Sequence, residues 1–277
     1  MSFQSSESAL NSQSKPPPPP PFHPLSMSQI PPPPMLPVEP IHTDSSSTKE
    51  NIPYVNKQDL YNIVYRDVLR KCDILNIGCY ENKVWMNPVY PCLQVGPTCG
   101  LAVICMLANS MGKQLQLADL LFVSQACGFT KQGEMFSVAN LKSLCNQVLG
   151  SNQLIIHHGT QGLEKDRKFI ADHLKTGAVA FIPYDADYNH DPCLKHGLKA
   201  HWALIFGLLE PEDEDEVYLL ARQGKSNHIG VWRYSDLSAS NANLREIDPK
   251  RNIEDYLLPP GGIQEGLCNQ YLLLRKV

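Results

Sequence analysis

The sequence lacks several features that would assign it to a common class at once. No stretch approaches the run of about 20 apolar residues that a membrane-spanning helix needs. No long run of lysine or arginine is present and the formal net charge is −4, which argues against nucleic acid as the main partner. The first residues show no charged segment followed by an apolar one, so we expect no secretory signal. Together these absences predict a cytoplasmic protein that binds neither membranes nor nucleic acids.

Cysteine pairs at metal-binding spacing are also missing. The 277 residues include nine cysteines, an odd number, and no two of them form a C-x-x-C pair. The sequence therefore argues against a zinc ribbon built on thiolates. Because Cys105, Cys127 and Cys145 lie in apolar or helical runs, we expect reduced thiols rather than disulfides. We expect no metal and no other cofactor.

One loop resembles a metal site at first reading. Residues 185–191 have the acidic spacing of a calcium loop, but His190 stands where that loop needs glycine and His196 where it needs glutamate. Together with Cys193 and His201, these histidines match no usual zinc spacing. We interpret the segment as a solvated loop at the rim of a cleft.

Proline and serine dominate the first part of the chain. Residues 1–54 contain the proline runs Pro16–Pro21 and Pro31–Pro34 and almost no periodic apolar pattern. Such a segment buries too little surface to offset its chain entropy, which predicts disorder with some polyproline II conformation. Residues 55–277 are long enough to form one domain with a hydrophobic core.

The apolar periodicity of this domain changes along the chain. Helical spacing and stop signals predict helices, in addition to one after Cys99, over residues 57–71, 117–126, 137–150 and 163–175. Strand-like apolar segments cover residues 178–182, 202–209, 217–221, 230–234 and 271–274. Helices first and strands later predict the α+β class, with a helical part packed on a mostly antiparallel sheet.

Cys99 is the principal candidate for a nucleophile. It follows the loop-forming pair Gly96-Pro97 and precedes the apolar run of residues 101–108, which predicts a buried helix. At a helix N-terminus, free backbone N–H groups and the helix dipole stabilise a thiolate. The alternative for any single cysteine is a small buried apolar residue.

His201 heads a later apolar strand, so the pattern predicts a thiol on a helix facing an imidazole on a sheet, as a cysteine protease needs. His201 is then the general base and acid. Gln94 precedes Cys99 by five residues, and its side-chain amide is the candidate to bind the developing oxyanion together with the Cys99 N–H.

The residue that orients the histidine is less obvious in the sequence. Gln223 is the polar residue at the end of the next strand, and its amide carbonyl can accept the imidazole N–H. An ordinary turn glutamine is the alternative. Asn227 and Asp236 are further candidates for this role.

Several long segments resemble a known family. They are QVGPTCGL, GFTKQGEMFSV, VYLLARQGKS and GGIQEGLCNQYLLL, together with residues 182–202. These segments resemble the actin maturation protease family, of which a proline-rich N-terminus is also typical.

The resemblance implies a papain-like fold and a cytosolic cysteine aminopeptidase. It implies removal of the acetylated first residue, methionine or cysteine, from new actin, which exposes an acidic N-terminus. The family's catalytic cysteine and cleft histidine map onto Cys99 and His201. The related bacteriocin-processing peptidases usually carry aspartate as the third member, where this chain has Gln223.

Basic residues lie before His201 and after the next strand, where they are expected to attract an acidic substrate. These candidates for substrate binding are Lys195, His196, Lys199, Arg222 and Lys225. A solvated charged loop is the alternative.

The two proline runs predict a ligand for an aromatic groove that binds polyproline II. Profilin, which binds both polyproline and actin, would present the substrate and raise its local concentration; a flexible linker is the alternative. Two other functions stay open: a catalytically inactive adaptor for actin and profilin, and a thiol hydrolase of the same fold acting on another acyl or isopeptide bond.

Overall fold

The computed structural model of the chain describes residues 56–80, 83–212 and 215–277. The proline-rich segment predicted over residues 1–54 lies outside the described residues. The helices are α1 (Lys57–Leu75), α2 (Cys99–Ser110), α3 (Leu117–Ala126), α4 (Val138–Cys145), α5 (Arg167–Lys175), α6 (Tyr234–Ala242) and α7 (Gly262–Leu267). The strands are β1 (Val84–Met86), β2 (Leu154–Gly159), β3 (Val179–Asp185), β4 (Ala200–Leu209), β5 (Tyr218–Gln223), β6 (Gly230–Arg233) and β7 (Tyr271–Lys276).

The strands form one antiparallel sheet in the order β2-β7-β3-β4-β5-β6. β1 joins the sheet at the end of β4, beyond the residues that pair with β3, with Trp85 opposite Leu208. Helices precede most of the strands and pack on this sheet, so the predicted α+β class and antiparallel sheet are confirmed.

β4 is buried because a hydrophobic core covers each face of the sheet. Trp202, Leu204 and Phe206 project into the core that includes α2 and α4. Ala203 and Ile205 project into a second core formed with α5 and α6. A strand buried on both faces is apolar along nearly its whole length, which is what the sequence of β4 shows.

Most predicted elements are observed with small shifts. α4 ends at Cys145, and a π-helical turn, Asn146–Gly150, continues it to the end of the predicted helix. α5 begins later than predicted. It begins at Arg167 because the four residues before it form a turn. Two tyrosines hold that turn: Tyr234 donates its hydroxyl to the Leu163 carbonyl at 2.6 Å, and Tyr271 donates to the Asp166 carboxylate at 2.8 Å. These partners come from α6 and β7, far along the chain.

Candidate active site

Cys99 is the first residue of α2, as predicted. The loop before it is closed by Thr98, whose hydroxyl donates to the Val95 carbonyl at 2.9 Å and accepts the Val95 N–H at 3.2 Å. This local turn ends the loop and starts the helix at Cys99. The first N–H groups of the helix therefore lie at the thiol without partners in the preceding chain.

Gly100 allows the start of α2 to lie directly against β4. A Cβ atom at this position would be 2.8 Å from the Met135 Cβ and 3.3 Å from the Trp202 ring. The Trp202 indole donates to the Met135 carbonyl at 2.9 Å, which fixes the ring against the helix. The close packing brings Cys99 next to the strand residue that follows His201.

Burial dominates the protonation of Cys99, which is 8% exposed. Burial raises the pKa of the thiol to about 11, although the backbone N–H groups of Trp202, Gly100 and Cys99 act in the opposite direction, as does the charge of Lys225. The helix start therefore does not by itself produce a thiolate in this structure. A thiolate at Cys99 would therefore need a base that takes up the thiol proton.

His201 is the strand-borne base that the sequence predicted, and it is 7% exposed on β4 opposite Tyr184 of β3. Burial lowers the pKa of His201 to about 4; the hydrogen bond to Gln223 raises it, and the nearby His190 and Lys225 lower it further. The imidazole is therefore neutral at physiological pH and keeps one nitrogen lone pair. A neutral imidazole is the form that accepts a proton.

Gln223 determines which nitrogen of His201 is free. Its side-chain oxygen lies 3.4 Å from His201 Nε2 and also accepts the Lys225 backbone N–H at 2.6 Å. Because a backbone N–H only donates, the atom facing the histidine is the amide carbonyl oxygen. His201 Nε2 then carries the hydrogen, and Nδ1 holds the lone pair that can accept the thiol proton.

Within the described residues, no hydrogen bond joins the Cys99 thiol to the His201 ring. Catalytic hydrogen bonds are often long in enzymes without substrate and shorten in the complex. The two groups are thus an uncharged thiol at the start of α2 and an uncharged imidazole on β4.

Gln94 lies in the loop that precedes α2 and is tied to the end of β5. Its backbone N–H donates to the Gly224 carbonyl at 2.8 Å, and its side-chain nitrogen donates to the Gly96 carbonyl at 2.6 Å. The side-chain oxygen is buried and has no hydrogen-bond partner among the described residues. One amide hydrogen of Gln94 is therefore engaged by its own loop.

Comparison with known proteins identifies similar sequences. Residues 89–209 match the family model described as "Actin maturation protease-like, C-terminal domain". The chain is 41% identical over 198 residues to the actin maturation protease of Drosophila melanogaster, covering 67% of this chain and 71% of that protein. The Xenopus tropicalis protein of the same name is 35% identical over 214 residues, covering 66% and 70%.

The chain belongs to the actin maturation protease family. The human member, also named actin maturation protease, is 35% identical over 221 residues, covering 66% of this chain and 62% of that protein. Membership in this family supports the expected peptidase class.

Bacterial peptidase structures also resemble the chain, at a lower level. The peptidase domain of Streptococcus ComA has a TM-score of 0.39 and 9% identity, covering 67% of this chain and 96% of that domain. A putative C39-like peptidase from Bacillus anthracis has a TM-score of 0.42 and 12% identity, covering 70% and 98%. The assignment to the actin maturation protease family rests on the relatives above and not on these two structures.

The predicted basic residues before His201 lie together on an exposed loop, where other side chains engage them. Lys195 forms an ion pair with Asp187. The Lys199 ammonium lies 3.3 Å from the centroid of the Tyr188 ring. His196 is exposed on a left-handed turn with φ 60°. These residues form a surface, but their charges are already partly paired.

The two basic residues after β5 differ sharply. Lys225 is exposed and acts on the pKa of both Cys99 and His201, so its charge lies close to them. Arg222 is only 4% exposed and donates to the carbonyls of Val89 and Asn227 at 2.9 and 2.7 Å. The expectation that Arg222 belongs to an exposed basic rim is therefore wrong, because its donors hold two backbone segments together.

Two residues that the sequence did not assign to the site surround His201. The His190 ring is stacked on it with a centroid distance of 5.9 Å, and Tyr184 contacts it edge-on at 5.7 Å. The Tyr184 hydroxyl donates to the His190 carbonyl at 2.8 Å and so fixes its loop. Tyr184 and His201 lie just beyond the predicted strands 178–182 and 202–209, and antiparallel pairing of these strands was the available signal.

No group of three or more His, Cys, Asp or Glu side chains in the described part of the chain could hold a metal ion. All nine cysteines are free thiols. Among the described helices, none is long and apolar enough to cross a lipid bilayer.

Proposed function

We propose that this chain is a cysteine aminopeptidase that removes the acetylated N-terminal methionine or cysteine from immature actin and exposes the mature acidic N-terminus. One observation carries the proposal: Cys99 begins α2 beside β4, where Gln223 holds the neutral His201 with one nitrogen free. The relatives named actin maturation protease supply the substrate.

The reaction begins with an uncharged pair. His201 Nδ1 takes the proton of the Cys99 thiol as the sulfur attacks the carbonyl carbon of the first peptide bond. The C–N bond then breaks, the new actin amine takes that proton from His201, and the removed residue stays on Cys99 as a thioester. Water, deprotonated by His201, hydrolyses the thioester and restores the thiol. Gln223 positions the imidazole throughout.

The oxyanion that forms during attack needs donors close to the sulfur. The backbone N–H of Cys99 is one donor, because it lies at the start of α2 with no helical partner. The second hydrogen of the Gln94 side-chain amide is the other. The bond from Gln94 to Gly96 holds that amide in place before substrate arrives.

The exposed cations near the site favour an acidic substrate. The positive charge of Lys225 lowers the pKa of both Cys99 and His201. Lys195, His196 and Lys199 add a second basic surface on the loop before β4. Actin would approach with its acidic N-terminal segment toward these charges.

The proposal also includes a role for the proline-rich segment and a cellular compartment. Two proline runs within residues 1–54 would bind profilin and deliver profilin-bound actin to the cleft. Nine free thiols favour a reducing compartment, which is consistent with a cytoplasmic enzyme.

The test is cleavage of synthetic peptides by the purified full chain. A peptide that begins with acetylated Met or Cys before acidic residues should lose that residue, and the Cys99→Ala variant should leave it intact. The adaptor alternative predicts binding without cleavage by either protein. Activity only on an unrelated acyl or isopeptide bond would support the third alternative.

A further inference from the structure

An open cavity of about 510 Å³ lies beside the catalytic residues, on the side of Gln223. It is formed where the end of α1 approaches β6 and the loops after β3 and β5. The lining residues that matter here are Arg70, Lys71, His190, Gln223, His228 and Trp232. The sequence did not predict any role for α1 at the site.

The charges in this cavity favour an anionic ligand. Arg70 is 58% exposed and has Asp67 as an ion-pair partner at 3.2 Å, so it keeps donors for a second carboxylate. Lys71 forms no ion pair within the described residues. Asp191 also lines the cavity, but its oxygens accept from the Trp232 indole at 2.8 Å and from the Asn189 amide at 2.7 Å. Two cations, Arg70 and Lys71, and one carboxylate therefore line the cavity.

The position of the cavity relative to His201 suits the part of the substrate that follows the scissile bond. His190 lines the cavity and stacks on His201. A single imidazole ring therefore separates the cavity from His201. The amine that leaves during cleavage must take its proton from His201. The chain that follows the broken bond therefore departs on the side of His201, away from the start of α2.

We infer that this cavity binds the acidic residues that follow the scissile bond, with Arg70 and Lys71 as specificity-determining residues. The inference rests on the proposed peptidase function. The cavity is distinct from the basic loop before β4. In that loop Lys195 pairs with Asp187, and the Lys199 ammonium lies over the Tyr188 ring. Trp232 and the stem of Lys71 supply apolar contacts for the peptide backbone.

The experiment measures binding separately from cleavage. In the Cys99→Ala background, two acetylated peptides are titrated that differ only in having two aspartates or two asparagines after the first residue. The Kd ratio of these peptides reports charge recognition. We expect Arg70→Gln/Lys71→Gln to lower the preference for the acidic peptide by about fivefold, as for two exposed ion pairs.

A control variant removes two positive charges from another part of α1. Lys57→Gln/Arg66→Gln deletes two exposed cations of α1 that do not line the cavity, and it should leave the Kd ratio unchanged. If the ratio is unchanged in Arg70→Gln/Lys71→Gln, or falls equally in Lys57→Gln/Arg66→Gln, the inference is overturned. Thermal unfolding of each variant verifies that the fold is retained.

Cleavage assays with the proteins that retain Cys99 distinguish failure of the cavity assignment from failure of the proposed peptidase function. Cleavage with an acid preference that survives Arg70→Gln/Lys71→Gln contradicts the cavity assignment and leaves the proposed function standing. Charge-dependent binding in the cavity without any cleavage contradicts the proposed function and supports an acid-binding site.

Discussion

The side-chain oxygen of Gln223 lies 3.4 Å from Nε2 of His201 and is fixed by the backbone N–H of Lys225. The acceptor beside His201 is therefore an amide oxygen and not a carboxylate. An amide accepts the imidazole hydrogen without adding a negative charge. The histidine keeps its orientation, while its pKa stays low because burial is not offset by an anion.

The first prediction concerns this acceptor. Gln223→Ala should lower kcat by roughly 10- to 100-fold with KM little changed, because general-base catalysis contributes about 10²–10⁴-fold and is only partly lost. Gln223→Glu should raise the pKa of His201 and move the acid limb of the pH–rate profile to higher pH. Steady-state kinetics of both variants on an acetylated peptide measure these effects. Unchanged kcat and an unchanged profile would show a turn residue without a catalytic role.

The low pKa of His201 also predicts how stability depends on pH. Burial lowers the pKa to about 4 from an ordinary 6.5, so between these values the unfolded chain binds a proton that the folded chain does not. Stability is therefore complete above about pH 6.5 and falls as the pH drops toward 4, by at most a few kcal/mol. Urea unfolding at several pH values measures this slope.

The matched variants separate His201 from the other histidines. His201→Gln should flatten the slope between pH 4 and 6.5. His196→Gln, at an exposed position, should leave it as in the unchanged protein. Equal slopes in all three proteins would show that His201 is not the buried titrating group.

The next prediction concerns the packing that places Cys99. Gly100→Ala puts a Cβ atom 2.8 Å from the Met135 Cβ, so α2 must shift away from Trp202. Overpacking of this kind costs about 1–3 kcal/mol, and the shift displaces the nucleophile. We expect a lower unfolding midpoint and a strongly reduced kcat. In the control Gly78→Ala, the added Cβ atom meets the Tyr80 ring at an ordinary 3.7 Å, so stability and kcat should be retained.

The proline-rich segment gives a prediction about delivery. Deleting residues 1–50 should slow processing of profilin-bound actin more than cleavage of a short peptide, because only the former uses the polyproline contact. The rates of both reactions are compared for the full and shortened chains. If deletion affects both substrates equally, the proline runs do not dock profilin.

Local signals in the sequence were sufficient for much of the fold. The bounds of α3 follow from its apolar spacing and the stop at Gly128, and β4 follows from its long apolar run. β1 could not be predicted, because three residues become a strand only where Trp85 pairs with Leu208. The serine- and asparagine-rich α6 was also missed.

Long-range contacts explain why α6 forms, and they limit how much of the site can be predicted from the sequence. Ser240 of α6 bonds the backbone of Asp185 in both directions, at 2.8 and 2.9 Å, so tertiary contacts outweigh weak helix propensity. In the site, the positions of Cys99 and His201 are local properties of a helix start and a strand head. The burial of Arg222 depends on the distant Val89 carbonyl, which no spacing in the sequence indicates.

The most direct test of the central claim is the mass of the actin N-terminus in cells that lack this protein. Complementation with the unchanged chain should restore actin that begins at its acidic residue, and complementation with Cys99→Ala should leave the acetylated first residue in place. Mature actin in the cells without the protein, or equal restoration by Cys99→Ala, would contradict the account.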